Sequence, residues 1–117
     1  MNYSVIPTKR FQSDLEYYSK KKKYRKIYDD VDAVVRELSV GNLIGDVIPN
    51  LKCDNPTVKV RIANSDTRSG KSNGYRMLYY AVIDDCEIYL LTICSKKDDN
   101  NIPTDSEIID MVNQIIG

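Results

Sequence analysis

The chain has no histidine and no tryptophan, a single phenylalanine, and three cysteines among its 117 residues. Without histidine there is no imidazole general base and no Ser-His or Cys-His nucleophile pair, and most zinc sites are excluded. Cys53, Cys86 and Cys94 are too few and too scattered for a four-cysteine metal site. On one strand, Cys86 and Cys94 would stand roughly 26 Å apart at about 3.3 Å per residue, beyond disulfide reach. An odd count with no secretion signal points to reduced thiols packed as small hydrophobes. No apolar run approaches the roughly 18 to 20 residues of a membrane span, and no signal-peptide pattern opens the chain. A soluble, cytoplasmic protein with no membrane partner, no metal and no cofactor is the expectation.

Apolar residues make up 42% of the sequence and charged residues 29%, which are globular proportions and exclude a disordered tail. The length suits one domain, 1–117, that buries roughly 65% of its unfolded surface. Seventeen Lys and Arg balance seventeen Asp and Glu, yet the charges are segregated. Residues 1–28 hold eight cations against two acids, and residues 52–76 hold six against two. The segments 29–51 and 77–117 are acidic by margins of four and six. Two basic blocks either form one basic face for a phosphate-rich partner or lie solvated on unrelated surfaces.

Tyr3 to Ile6 reads as a short strand stopped by Pro7. Thr8 is placed to cap a helix with apolar positions Phe11, Leu15 and Tyr18. A second stripe runs through Tyr24, Ile27, Tyr28, Val31, Val34, Val35 and Leu38. The six-residue step from Tyr18 to Tyr24 rotates the stripe by about 120°, so a break near Lys20–Lys23 is expected, making a helical hairpin. Gly41 and Gly45 end the helical region. Val58, Val60 and Ile62 then alternate with Lys59 and Arg61, the period of a strand. A polar loop follows over Asn64 to Gly74, then a nearly continuous apolar strand from Tyr75 to Ile83, a turn at Asp84-Asp85, and a second buried strand to Cys94. Thr104 to Glu107 is a capping box before a last helix carrying Ile108, Met111, Val112 and Ile115. The expected fold is α+β, with an N-terminal strand and helical hairpin packed on a small twisted antiparallel sheet and a C-terminal helix.

Gly70-Lys71-Ser72 suggests a phosphate loop, but Ser65 stands where the first glycine is needed and a strand follows in place of a helix. What remains is a flexible tip presenting Arg68 and Lys71 to phosphate. Lys59 and Arg61 share one strand face, Arg76 opens the next strand, and Lys96 and Lys97 follow the strand after that. Arg76 between Tyr75 and Met77 is costly to bury without an anion, whether that anion is an internal carboxylate or a ligand. The run Lys20–Lys23 is either a solvated corner or a contact to RNA backbone, with Lys22 and Lys23 its nearest candidates. Of the nine tyrosines, Tyr17, Tyr18, Tyr24 and Tyr28 read as helix packing. Tyr75, Tyr79 and Tyr80 lie beside the cationic strands and read either as core residues or as rings that stack on bases. The acid pairs Asp84-Asp85 and Asp98-Asp99 read as solvated turns.

Taken together, Val5-Ile6-Pro7-Thr8, the helical hairpin, Lys59-Val60-Arg61-Ile62, Gly70-Lys71-Ser72-Asn73-Gly74-Tyr75-Arg76 and Ile88 to Lys97 resemble the RelE/ParE superfamily of type II toxins. The HigB-like, RelE-like messenger-RNA interferase branch is the most similar, and the likeness spans about residues 3–112. It implies a toxin neutralised by a cognate antitoxin, acting on messenger RNA at the ribosome. It further implies metal-free cleavage, in which the ribose 2′-hydroxyl attacks the adjacent phosphate. The catalytic positions it implies are Lys59, Arg61, Arg76 and Lys96, with Arg68, Lys71, Lys97, Lys22 and Lys23 binding RNA. Asn73 replaces a common glycine, a residue tolerant of positive φ. Cys94 stands where a tyrosine is common, which leaves a lysine such as Lys59 as the candidate base. The other readings are a ParE-like, gyrase-directed toxin of the same superfamily and a non-catalytic RNA- or protein-binding module.

Overall fold

The computed structural model describes residues 2–98 and 102–116. Its elements are β1 (Ser4–Pro7), α1 (Lys9–Glu16) continued by a π-helical turn (Tyr17–Lys21), α2 (Ile27–Ser39), β2 (Asp46–Val47), β3 (Thr57–Ile62), β4 (Tyr75–Val82), β5 (Glu87–Ser95) and α3 (Asp105–Ile116). The strands form one five-stranded sheet in the order β1-β5-β4-β3-β2. The expected antiparallel sheet is in fact mixed, because β1 pairs with β5 in parallel while β2 to β5 are antiparallel. The chain leaves β1 through both helices before returning to the sheet, so no tight turn forces the first pairing to be antiparallel.

Alternation along the strands gives the sheet two unlike faces. Val58, Val60 and Ile62 of β3, Tyr75, Met77 and Tyr79 of β4, and Ile88, Leu90 and Ile93 of β5 pack with Phe11 and Tyr18 of the first helix and with Ile27, Val31 and Leu38 of α2. On the other face Leu78, Tyr80 and Leu91 meet Ile108 and Val112 of α3, together with Leu51. This second core is smaller and covers only part of its face. The register of β4 against β5 slips at Leu78/Tyr79: Tyr79 faces Leu90, whereas Leu78 faces Thr92. Leu91 is the extra residue of a β-bulge, and it keeps both Leu91 and Thr92 off the first core.

The helical hairpin breaks where the stripe rotation requires. The π-helical turn ends at Lys21, and Lys23 takes a left-handed φ of 59°. Thr8 caps α1 by accepting from the Phe11 N–H at 3.2 Å, and its hydroxyl also donates to the Leu90 carbonyl at 2.8 Å. The Thr104 hydroxyl and the Glu107 carboxylate form the reciprocal capping box of α3. Gly45, at φ +114°, opens β2; a Cβ there would lie 2.6 Å from the Lys59 carbonyl oxygen. That two-residue strand is absent from the sequence reading, since two residues carry no periodicity. Among the described residues, no helix is long and apolar enough to cross a membrane.

The outer edge of β5 is finished in two ways. β1 pairs with its first half. Beyond Pro7, side chains of the first helix do the work of a strand: Asp14 accepts from the Thr92 hydroxyl and the Ile93 N–H, and the Tyr18 hydroxyl accepts from the Ser95 N–H at 2.9 Å. Backbone donors at a sheet edge are thus satisfied by a helix whose apolar face also fills the core.

Candidate nucleic-acid interface

Lys59 and Arg61 alternate with core residues of β3 and so face the side of the sheet that α3 covers only in part. Arg76, between the buried Tyr75 and Met77, faces the same side from β4. Register places Arg61 directly opposite Arg76, and Arg76 directly opposite Cys94. The next rung is Lys59, Leu78 and Thr92. Like charges directly opposite across an antiparallel pair repel each other, so the Arg61–Arg76 rung concentrates positive charge. Arg61 is exposed, whereas Arg76 is half-buried and engaged by a neighbour. Among the described residues, neither Lys59 nor Arg61 enters an ion pair; Asp46 of β2 is the register partner of Lys59.

The other sequence candidates fall into three places. The Lys96 N–H donates to the Gly74 carbonyl at 3.0 Å, carrying the β5 trace two residues beyond Cys94 and bringing Lys96 to the end of the cationic rung. Lys97 follows it and is exposed. Lys22 reaches the same end through Asp98, at 3.8 Å, while the exposed Lys23 forms the left-handed corner beside it. Asp98 also accepts hydrogen bonds from Tyr24 at 2.7 Å and Ser95 at 2.8 Å. Burial pushes the Asp98 carboxyl up, but the bonds from Tyr24 and Ser95 and the charges of Lys22 and Lys97 outweigh it and hold the group below its usual range. The described half of the Asp98-Asp99 pair therefore ties the lysine corner to the sheet, in place of a solvated turn; Asp99 lies outside the described residues.

Arg68 and Lys71 are displaced from the cationic rungs. Their loop is anchored, not free: the buried Asn64 side chain accepts from the Asp66 and Thr67 N–H groups, Asp30 accepts from the Ser65 N–H, and Asp66 accepts from the Lys26 N–H. Arg68 takes φ 57° at the tip, and Asn73 needs no positive φ. Gly74 is a matter of space, since a Cβ there would lie 2.1 Å from the Ile62 carbonyl oxygen. Lys71 lines a cavity of about 740 Å³ between α2 and the outer edge of β3, facing Asp29, Asp30 and Glu37. That larger cavity is set against the strand edge and is acidic on its helical wall. Among the described residues, no cluster of three His, Cys, Asp or Glu is arranged to hold a metal.

The tyrosines of β4 are fully buried, which settles them as packing. The Tyr79 hydroxyl donates to the Ile44 carbonyl at 2.6 Å, and burial pushes its pKa up to about 12. Burial, followed by the charges of Asp66 and Asp30, raises that of Tyr75, whose buried hydroxyl has no hydrogen-bond partner among the described residues.

By sequence the chain matches no protein-family model and no curated protein. By structure it is similar to the toxin RelE of E. coli, solved as a doubly substituted mutant in the free state. The TM-score is 0.55 at 13% identity, over 98% of this chain and 99% of that one. A second similar structure is the RelBE2 toxin–antitoxin complex of Mycobacterium tuberculosis, with a TM-score of 0.45 at 16% identity over 84% of this chain and 95% of that chain. The α+β arrangement of this chain is the RelE fold.

Proposed function

We propose that this protein is the toxin of a type II toxin–antitoxin pair and that it cleaves messenger RNA on the ribosome. The observation that carries the reading is the Arg61–Arg76 rung, two guanidinium groups in direct register on the uncovered part of a sheet. Such a rung concentrates positive charge and becomes favourable when an anion bridges it. The fold is that of the E. coli toxin RelE, and the chain has no histidine with which to run imidazole chemistry.

In this mechanism the ribose 2′-hydroxyl attacks the neighbouring phosphorus, closing a 2′,3′-cyclic phosphate as the bond to the 5′ oxygen of the next nucleotide breaks and that oxygen takes up a proton. Arg61, Arg76 and Lys96 stabilise the additional negative charge that develops on the phosphate oxygens, which is the dominant contribution expected of fixed cations at such a site. Lys59, one rung away, exchanges the proton of the 2′ oxygen. Lys22, Lys23 and Lys97 at the corner, with Arg68 and Lys71 beyond β3, hold the RNA and ribosomal backbone. No step needs a metal. A cognate antitoxin of acidic or amphipathic character covers the Lys20–Lys26 corner or the Lys59/Arg61/Arg76 face, and opposite charge speeds its approach.

The deciding experiment is cleavage of messenger RNA on translating ribosomes, mapped by primer extension, for the parent and Arg76→Ala. Cleavage by the parent, lost in the variant while the variant remains folded, is the expected result. A parent that leaves messenger RNA intact but inhibits gyrase would instead assign the chain to the gyrase-directed branch.

A further inference from the structure

Cys94 is the β5 end of the Arg61–Arg76–Cys94 rung, and it lines a second, smaller cavity of about 130 Å³. The opposite wall of that cavity is the first helix, through Arg10, Asp14 and Tyr17, residues at helical spacings of four and three that form one stripe. Thr92, on the neighbouring rung, completes it. The cationic rung therefore continues past β5 onto the helix and ends at an aromatic ring. Tyr17 is 43% exposed, whereas its neighbour Tyr18 is 3% exposed and fixed by the Ser95 N–H. The two rings meet edge to face, with centroids 5.1 Å apart and planes at 78°. The helix changes to its π-helical turn at Tyr17, a distortion frequent at functional sites. Arg10, which pairs with Asp14 at 3.6 Å, places a further cation at the cavity mouth.

Three properties meet here: an orientated and accessible ring, a recess beside it, and a cation one strand beyond the Cys94 wall of that recess. A single-stranded nucleic acid presents the matching set, a flat base joined to a phosphate. We infer that Tyr17 is the base-stacking platform of this site, taking one nucleobase of a single-stranded RNA while an adjoining phosphate lies over Arg76. The inference rests on the reading of the chain as a messenger-RNA nuclease and adds a substrate-positioning residue to it. Stacking accepts every base, so Tyr17 supplies binding and register, and the cations supply the chemistry.

The test compares Tyr17→Ala, Tyr17→Phe and Tyr17→Trp with the parent on ribosome-bound message. Tyr17→Ala should lower kcat/KM roughly 5- to 150-fold in a variant that remains folded, with only the small fall in thermal midpoint that loss of the ring contact with Tyr18 brings, while the ring-retaining Phe and Trp variants stay near the parent. Because the chain has no native tryptophan, the Trp variant carries one indole, and a short single-stranded RNA should quench its emission in a saturable, salt-sensitive manner. If the parent cleaves and Tyr17→Ala keeps pace with it, the platform is wrong and the nuclease reading stands. A Phe variant as impaired as Ala would move the role from the ring to the hydroxyl and overturn stacking. So would an indole emission that ignores RNA bound by the same variant, as seen by anisotropy of a labelled strand. A parent that neither cleaves message nor binds RNA would remove the nuclease reading and the platform with it.

Discussion

The two faces of β4 differ more than any two regions of the molecule. Tyr75, Met77, Tyr79 and Ala81 are closed over by the helical hairpin and belong to the larger core. The intervening residues are divided: Leu78 and Tyr80 lie under α3, but Arg76, one rung nearer the loop, does not belong to that core. A single strand thus carries one face given wholly to packing and another on which a charged residue stands beside packed ones. The contrast separates stability from activity at neighbouring positions, and it can be broken or sharpened residue by residue.

The largest expected effects are of opposite kinds at adjacent residues. Arg76→Ala should lower message cleavage by roughly 10²–10³-fold, the usual loss of one charge-stabilising donor. Its fold should be retained, because Arg76 belongs to neither hydrophobic core. Met77→Ala should instead cost about 2–5 kcal/mol in denaturant unfolding, since a fully buried side chain leaves a cavity. If the two variants traded places, the division of labour between the faces would collapse.

A smaller effect distinguishes two tyrosines of the larger core. Tyr18→Phe deletes the acceptor of the buried Ser95 N–H and should cost about 1–3 kcal/mol. Tyr75→Phe deletes a buried hydroxyl that has no partner among the described residues and should be neutral or stabilise by about 1 kcal/mol. Equilibrium unfolding of both variants checks the sign.

The smallest effect is pH-dependent. Asp98 is held below its usual range in the folded state. Its contribution is therefore fully present above the unfolded value of about 3.9 and is lost as the pH falls through the lower folded value. Asp98→Asn should be less stable than the parent near neutrality, with the gap closing in strong acid. A gap independent of pH would show that the carboxylate charge is not what ties the lysine corner to β5.

Much of this arrangement was legible in the sequence, for reasons that also explain what was not. The stripes of α2 and α3, and the Lys59/Arg61 alternation with Val58, Val60 and Ile62, are local periodicities, and burial on one side enforces them. The rotation between Tyr18 and Tyr24 announced the hairpin break. The cations of β3 and β4 could be assigned to their strands, but their direct opposition could not, because register across a long loop is set by tertiary packing. The parallel β1–β5 pair is non-local in the same way. Tyr17 read as one more packing tyrosine, since the sequence does not show that the helix presents it to β5 at the end of a charged rung. Nor does it show Asp14 and Tyr18 standing in for a strand.

The bulge at Leu91 has a consequence for how β5 encodes two surfaces at once. Before it, Ile88 and Leu90 are the core positions; after it, Ile93 is, so the parity of the strand changes at a single inserted residue. Even numbers mean inside in one half and outside in the other, as in a text whose reading frame shifts midway. The half that packs beneath α3 and the half that borders the cations are therefore free to be spelled independently. Deleting Leu91 alone would remove the bulge and leave a regular alternation with Ile88, Leu90 and Ile93 still facing the larger core, so the strand would keep its two faces and lose the Leu91 contact beneath α3.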